Sequence, residues 1–213
     1  MLSASTPPRT GRPVYAGARV TGRLASYLGK LPRGLDSYPD YEVKASLLRA
    51  LVGACPPLTG LDFDGALGEL LRDPPSANSW IPEVHFVAAH LAIADGLGLS
   101  SDEMLRRTYQ ANRSLTSSPM YRALASVASP GLLLRGAKAG WGLIHRGVHL
   151  TLHAEKNRAR LVLTHPPHLY NVLAHESAAW GFRAVVEAAH GKDVQAGLEQ
   201  SLPTGASVLV TWA

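Results

Sequence analysis

The chain has 213 residues, 46% of them apolar and 17% charged, with 21 Lys+Arg against 16 Asp+Glu and one Cys. That composition excludes wholesale disorder and a disulfide framework. It also excludes a need for structural metal, since a chain this long buries about 70% of its unfolded surface unaided. The net charge of +5 is unevenly placed, with six basic residues and no acid up to Leu35, then fifteen basic against sixteen acidic residues beyond it.

Residues 1–14, rich in Pro, Ser, Thr, Arg and Gly, read as a basic flexible arm. Arg9, Arg12, Arg19 and Arg23 are the cations that this end offers an anionic partner. No secretory apolar core precedes the body, and no run reaches the roughly 20 apolar residues of a spanning helix. With a lone Cys suited to a reducing compartment, the expectation is a cytoplasmic protein. Tyr15–Lys30 holds a short helix or strand, weakened by Gly17, Gly22 and Gly29, and Asp36–Asp40 is a turn. Over Tyr41–Gly53, Val43, Leu47, Leu48, Leu51 and Val52 recur at helical spacing, and Gly53 and Pro56-Pro57 stop the helix. Cys55, just beyond, reads as a buried structural thiol. Asp62–Leu71 is a second short helix, followed by a Pro-rich loop.

Trp80-Ile81-Pro82-Glu83 opens a helix that runs to Gly96, with proline at its first turn and Glu83 complementing the dipole. Ser100 or Ser101 with Glu103 caps the next helix, to about Asn112. Ser118-Pro119 and Ser129-Pro130 start two more. The period then changes. Gly147–His153 alternates as a half-buried strand, with His149, Thr151 and His153 on one face and Val148, Leu150 and Leu152 on the other. A turn and a second strand, Ala159–Thr164, follow. Leu169–His190 is a long helix closed by Gly191, and Ser207–Trp212 is a final strand. The fold class is α+β, an N-terminal helical layer packed on a C-terminal β-β-α-β sheet unit. Residues 15–213 form a single domain, helical to about residue 144 and β-β-α-β over 145–213.

Few residue patterns here carry chemistry. No dinucleotide fingerprint, phosphate loop or nucleophile elbow occurs, so no catalytic residue is assigned. Nine histidines have no metal-ligand spacing, and His175-Glu176 lacks the second histidine of a zincin, so no metal site is expected. Trp80 and His85 line one candidate ligand surface. Tyr109, Arg113 and Tyr121 in the helical layer offer stacking and bidentate anion contacts. Trp141 sits at a pocket mouth between layers, and His149 on the first strand of the hairpin is a further candidate ligand contact.

A resemblance rests on the helix from Lys44-Ala-Ser-Leu-Leu, the Trp80-Ile81-Pro82-Glu83 segment, the leucine-rich Ser129-Pro130 helix and the closing Val210-Thr211-Trp212. The chain resembles a paralogous domain family expanded in myxobacteria, whose C-terminal half is similar to 4-vinyl-reductase and heme-NO-binding-like domains. That resemblance implies a fold that binds ligands between a helical layer and a sheet. The heme-binding relatives carry Tyr-x-Ser-x-Arg on a hairpin strand, where this chain reads Ala159-Arg160-Leu161-Val162-Leu163-Thr164, and the paired C-terminal cysteines of the reductase relatives are missing. The expectation is therefore a non-enzymatic regulatory or sensor domain binding a small molecule or protein partner, without a cofactor. The alternatives are an enzyme using His85 or His149 as acid or base, and a nucleic-acid regulator led by the basic arm. No nucleic-acid motif supports the latter, and a homo-oligomer is left open.

Overall fold

The computed structural model describes residues 22–59, 61, 63, 65–117 and 137–213. The arm cations Arg9, Arg12 and Arg19, the candidate Tyr121 and the helices read from Ser118-Pro119 and Ser129-Pro130 lie outside the described residues.

The first half is helical around a small sheet. Helix α1 (Gly22–Leu28) packs on α4 (Glu83–Gly96). A short strand β1 (Glu42–Lys44) runs directly into α2 (Ala45–Gly53), and β2 (Trp80–Pro82) runs directly into α4. These strands pair antiparallel, Val43 opposite Ile81, and β3 (His145–Arg146) joins on the other side of β1. The helices expected from Tyr41 and Trp80 thus begin three to four residues later. In both places an aliphatic residue, Val43 or Ile81, points into the core between two outward neighbours, a period-2 pattern too short to stand out in sequence. Helix α3 (Gly65–Arg72) packs on α4, and α5 (Ser101–Thr116) packs on α2. Ser100 and Glu103 form a reciprocal capping box at the start of α5.

The second half begins with α6 (Ala137–Ile144), followed by β3, and then builds a four-stranded antiparallel sheet of order β4-β5-β7-β6 from β4 (His149–Ala154), β5 (Arg158–Thr164), β6 (Gln195–Leu202) and β7 (Gly205–Thr211). Helix α7 (Val172–Ala188) connects β5 to β6 and packs between the sheet and α5. The unit is therefore β-β-α-β-β, one strand more than expected. Strand β6 (QAGLEQSL) escaped notice because it is an edge strand. Its residues are polar or partly exposed, it contains Gly197, and its register shifts between Leu198 and Gln200. The left-handed residue that closes α7, just past its C-cap Ala189, is His190 (φ 64°) and not Gly191. Gly191 is needed for closeness, because a Cβ there would meet Val186 Cγ1 at 2.8 Å.

The sheet buries Leu150, Ala159, Leu161, Leu163, Val208 and Val210 on one face. These residues belong to one apolar cluster with Leu48, Leu91, Ile93 and Met104 of the helical half. The mixed architecture of helices and antiparallel sheets expected from the sequence is the one observed. Among the described residues no helix is long and apolar enough to cross a membrane.

Candidate functional site

The buried polar side chains among the described residues are Ser37, Glu83, His90, Thr108, His145, His165 and His175. Four of them, Glu83, His145, His165 and His175, belong to one region where the helical half meets the sheet half.

Glu83 is the first residue of α4, and its backbone N–H donates to the Tyr41 carbonyl at 2.8 Å. This fixes the side chain beneath β3, where its exposure is 0%. Carboxylate Oε1 accepts from His145 Nδ1 at 2.5 Å, and the remaining oxygen, Oε2, is left to the weaker approach of the Tyr170 hydroxyl. The free N–H groups at the start of α4 favour the anion without supplying a donor to Oε2. Trp141, on α6, stacks on His145 with ring centres 3.8 Å apart and planes 13° apart, and stacks on Phe182 of α7 at 5.8 Å on its other side. Its indole N–H donates to the Val148 carbonyl at 2.9 Å.

Tyr27 and Tyr170 approach from below. The Tyr27 hydroxyl donates to the Leu169 carbonyl at 2.8 Å. Burial first, and the Glu83 charge second, push both phenols well above their ordinary value. The Tyr170 hydroxyl also acts as a hydrogen-bond donor towards the Glu83 carboxylate, which raises it further.

Beside them lies a directional chain. His165 Nδ1 meets the Pro166 carbonyl at 2.8 Å, and a carbonyl only accepts, so Nδ1 carries the proton. Neutral His165 therefore accepts at Nε2, and His175 Nε2–H donates to it across 2.8 Å. His175 Nδ1 is then an acceptor, filled by the Ser201 hydroxyl at 2.8 Å. Burial lowers the values of both histidines, that of His175 to about 4, aided there by repulsion from His165. The neutral tautomers of the chain are thus the stable ones near neutral pH. Elsewhere, buried His90 bonds Thr108 at 3.1 Å through Nε2 and is likewise lowered to about 4 by burial.

The residues picked from sequence scatter. Trp141 lies at the junction. Trp80 is on the small sheet, flanked by Lys44 at 4.0 Å and Arg146 at 3.9 Å from its ring centre. His85 lines an open groove of about 470 Å³ with Glu69, Arg72 and Asp73. Tyr109 donates to Glu187 and is approached by Arg113 and Arg183 at the α5–α7 seam. His149 is exposed on the outer face of β4, away from the junction. Arg23 donates to the Leu99 carbonyl at 2.8 Å. Cys55 is half-buried, and burial raises its thiol, as suits an inert cysteine. Among the described residues no group of three or more metal-binding side chains converges.

Glu83, His145, Tyr170, His165 and His175 were missed. Glu83 reads in sequence as a dipole-complementing residue. Its one distinguishing signal is that it follows Ile81 in a β-to-α entry whose next residues are almost all apolar.

No family model matches the chain, and no curated protein matches it. Solved structures do. The unliganded Fe(II) H-NOX protein from K. algicida superposes with a TM-score of 0.56 at 9% identity, over 80% of this chain and 96% of that one. A variant H-NOX protein from S. oneidensis in the Fe(II) state gives 0.56 at 12%, over 80% and 96%. An oxygen-binding H-NOX domain related to soluble guanylate cyclases gives 0.52 at 8%, over 79% and 94%. At such identities the likeness speaks for architecture, and the chain has an H-NOX-like α+β fold.

Proposed function

We propose that this chain is a sensor-type domain that takes up a small molecule at the junction of its helical and sheet halves, around Glu83, His145 and Trp141, and reports the change to a partner. The observation that carries the reading is the fully buried Glu83–His145 pair, set against aromatic rings where the two halves meet. Native interiors seldom bury a carboxylate, so this one marks the junction as a candidate site. The fold supports the same direction, because its solved neighbours include an oxygen-binding domain. Residues 15–213 acting as one cytoplasmic unit, in a paralogous family like that named above, belong to the same reading.

Some of these neighbours carry iron, and one is described through its heme redox potential. The donor set here does not fit that group. All nine histidines and the one cysteine lie among the described residues. His145 meets one requirement of an axial ligand, an N–H held by a carboxylate. His165 and His175 spend their Nε2 atoms on each other, His90 spends its Nε2 on Thr108, and His149 faces solvent. Heme propionates need cations, but no buried Lys or Arg occurs among the described residues, and the one buried charged group of fixed sign is the anion Glu83. The inward side chains of β5 are Ala159, Leu161 and Leu163, with no polar group to grip a propionate.

An enzyme in the same place finds less support. The best-oriented hydroxyl, on Ser201, is paired with a histidine held neutral at about 4, a weak general base near pH 7.

The test is a thermal-shift screen of the purified full chain against anionic, neutral and cationic metabolites, with tryptophan fluorescence as a second readout. A ligand at a hundred times its Kd raises Tm by about 5–10 °C for a chain of this length, and the fluorescence change should vanish in Trp141→Phe. No saturable shift from any class, or binding indifferent to Trp141, overturns the reading.

A further inference from the structure

We propose that the chain forms a two-fold dimer with a second copy of itself through the outer border of β4, the two β4 strands pairing antiparallel about Thr151 and joining both sheets into one. The pairing is independent of the ligand junction around Glu83.

The border is open and regular. Strand β4 lies at one end of the sheet order β4-β5-β7-β6, and its six residues pair with β5 without a register shift. The Glu155 N–H donates to the Arg158 carbonyl at 2.8 Å, which makes that opposed pair a hydrogen-bonded one. By alternation His149, Thr151 and His153 turn their backbone groups to β5, and Leu150 and Leu152 turn theirs outward. Among the described residues no backbone hydrogen bond reaches those outward groups. Trp141 takes the carbonyl of Val148 at 2.9 Å and so closes the border just ahead of the strand. The opposite border, β6, carries a bulge and the charge of Glu199. Between His149 and Ala154 there is no Lys, Arg, Asp, Glu or Pro, so β4 lacks the charges, proline and bulge that keep a border from pairing.

The strand's own sequence selects the second copy as the occupant. His149-Leu150-Thr151-Leu152-His153 reads the same in both directions. Antiparallel pairing on a two-fold axis at Thr151 therefore opposes like with like: Thr151 meets Thr151, each Leu150 meets Leu152, and each His149 meets His153. The outward groups of Leu150 and Leu152 then form reciprocal hydrogen-bonded pairs. Thr151 becomes the close, non-hydrogen-bonded pair on the axis, where facing threonines are favourable. On the inner face Leu150 is buried but Leu152 only half-buried, so the pairing carries the apolar row of one sheet into the other. The charges at the ends are complementary. Arg146 precedes the strand and Glu155 follows it, both exposed, so Arg146 of one copy lies towards Glu155 of the other, with Lys156 beyond in the turn. A border of six residues buries little surface, which places the dimer in the weak, concentration-dependent class.

Sedimentation velocity of the full chain from about 10 μM to about 1 mM, where weak interfaces dissociate, should show a reversible shift to twice the chain mass. Thr151 is exposed on the outer face, so Thr151→Lys and Thr151→Glu leave the fold of each copy intact. Each should weaken self-association tenfold or more by setting like charges on the axis, and mixing the two variants should restore it. Amide exchange needs no variant: Leu150 and Leu152 should exchange fast in dilute solution and slowly as concentration rises. In a Cys55→Ser background, Thr151→Cys should form an intermolecular disulfide on mild oxidation. His149→Cys, about 13 Å from its own counterpart, should not. A chain that stays monomeric to about 1 mM, as it would if the border served a strand of another protein, overturns the proposal. Slow exchange at Leu150 and Leu152 at every concentration also overturns it, because another segment of this chain then covers them. A dimer indifferent to both charges at Thr151 lies on another surface and overturns it as well.

Discussion

Acid should unfold this protein well before its carboxylates titrate. His90 and His175 are buried, and burial lowers each from an ordinary 6.5 to about 4. A histidine lowered in the folded state binds its proton more readily once unfolded, so stability is complete above about pH 6.5 and is lost as pH falls towards 4. Integrated from pH 7.5 to pH 5, each such histidine costs about 2 kcal/mol, and the two together about 4 kcal/mol. That is a large share of the 5–15 kcal/mol typical of a folded domain. His85 and His165 are lowered too and add in the same sense, whereas Glu176, raised by burial, opposes them. Glu103 and Glu199 lie below their ordinary range and contribute only at lower pH. Urea unfolding at half-unit steps from pH 7.5 to 5 measures the slope directly. In His90→Gln the slope should fall by roughly one proton. Equal stability at pH 7.5 and 5, or an unchanged slope in His90→Gln, refutes the assignment of these histidines as neutral, desolvated groups.

Three further outcomes are expected from denaturant unfolding. Leu161→Ala empties a fully buried site on the inner face of the sheet and should cost about 3–4 kcal/mol. His145→Leu leaves Glu83 buried without its partner and should cost about 3–5 kcal/mol, most of it recovered in Glu83→Leu/His145→Leu, because the double change removes the stranded charge. A double-mutant cycle showing simple additivity would contradict this. Ser100→Ala removes one half of the capping box on α5 and should cost about 1 kcal/mol, with loss of protection at the amides of the first turn.

The parts of this fold that show in sequence are those whose cause is local. The β4–β5 hairpin announces itself by alternation, and His149, Thr151 and His153 do face outward as that alternation requires. The start of α5 shows through Ser100 and Glu103, which satisfy each other within three residues. What stayed hidden depends on partners far along the chain. Strands β1 and β2 are three residues each and exist because they pair with one another and, through β1, with β3, across separations of about forty to a hundred residues. Strand β6 has too little apolar patterning to be seen without β7 beside it. The site follows the same rule. Trp141 was visible as an aromatic at a boundary. Glu83 and His145 are 62 positions apart, and no spacing rule joins them. His165 and His175 are separated by a Pro-Pro turn and a helix start, and only the fold of residues 165–171 aims their Nε2 atoms at each other.

The register shift in β6 also affects how the protein behaves in crowded solution. Strand β6 is one outer border of the four-stranded sheet, where backbone groups face away from any partner strand. A straight border of that kind invites a strand from another molecule and, with it, aggregation. Here the bulge between Leu198 and Gln200 breaks the spacing that a foreign strand would have to match. Glu199, clamped by Arg160 and Ser207 on the outer face, holds a charge beside the break. The irregularity that hid the strand in the sequence therefore keeps its border from templating growth.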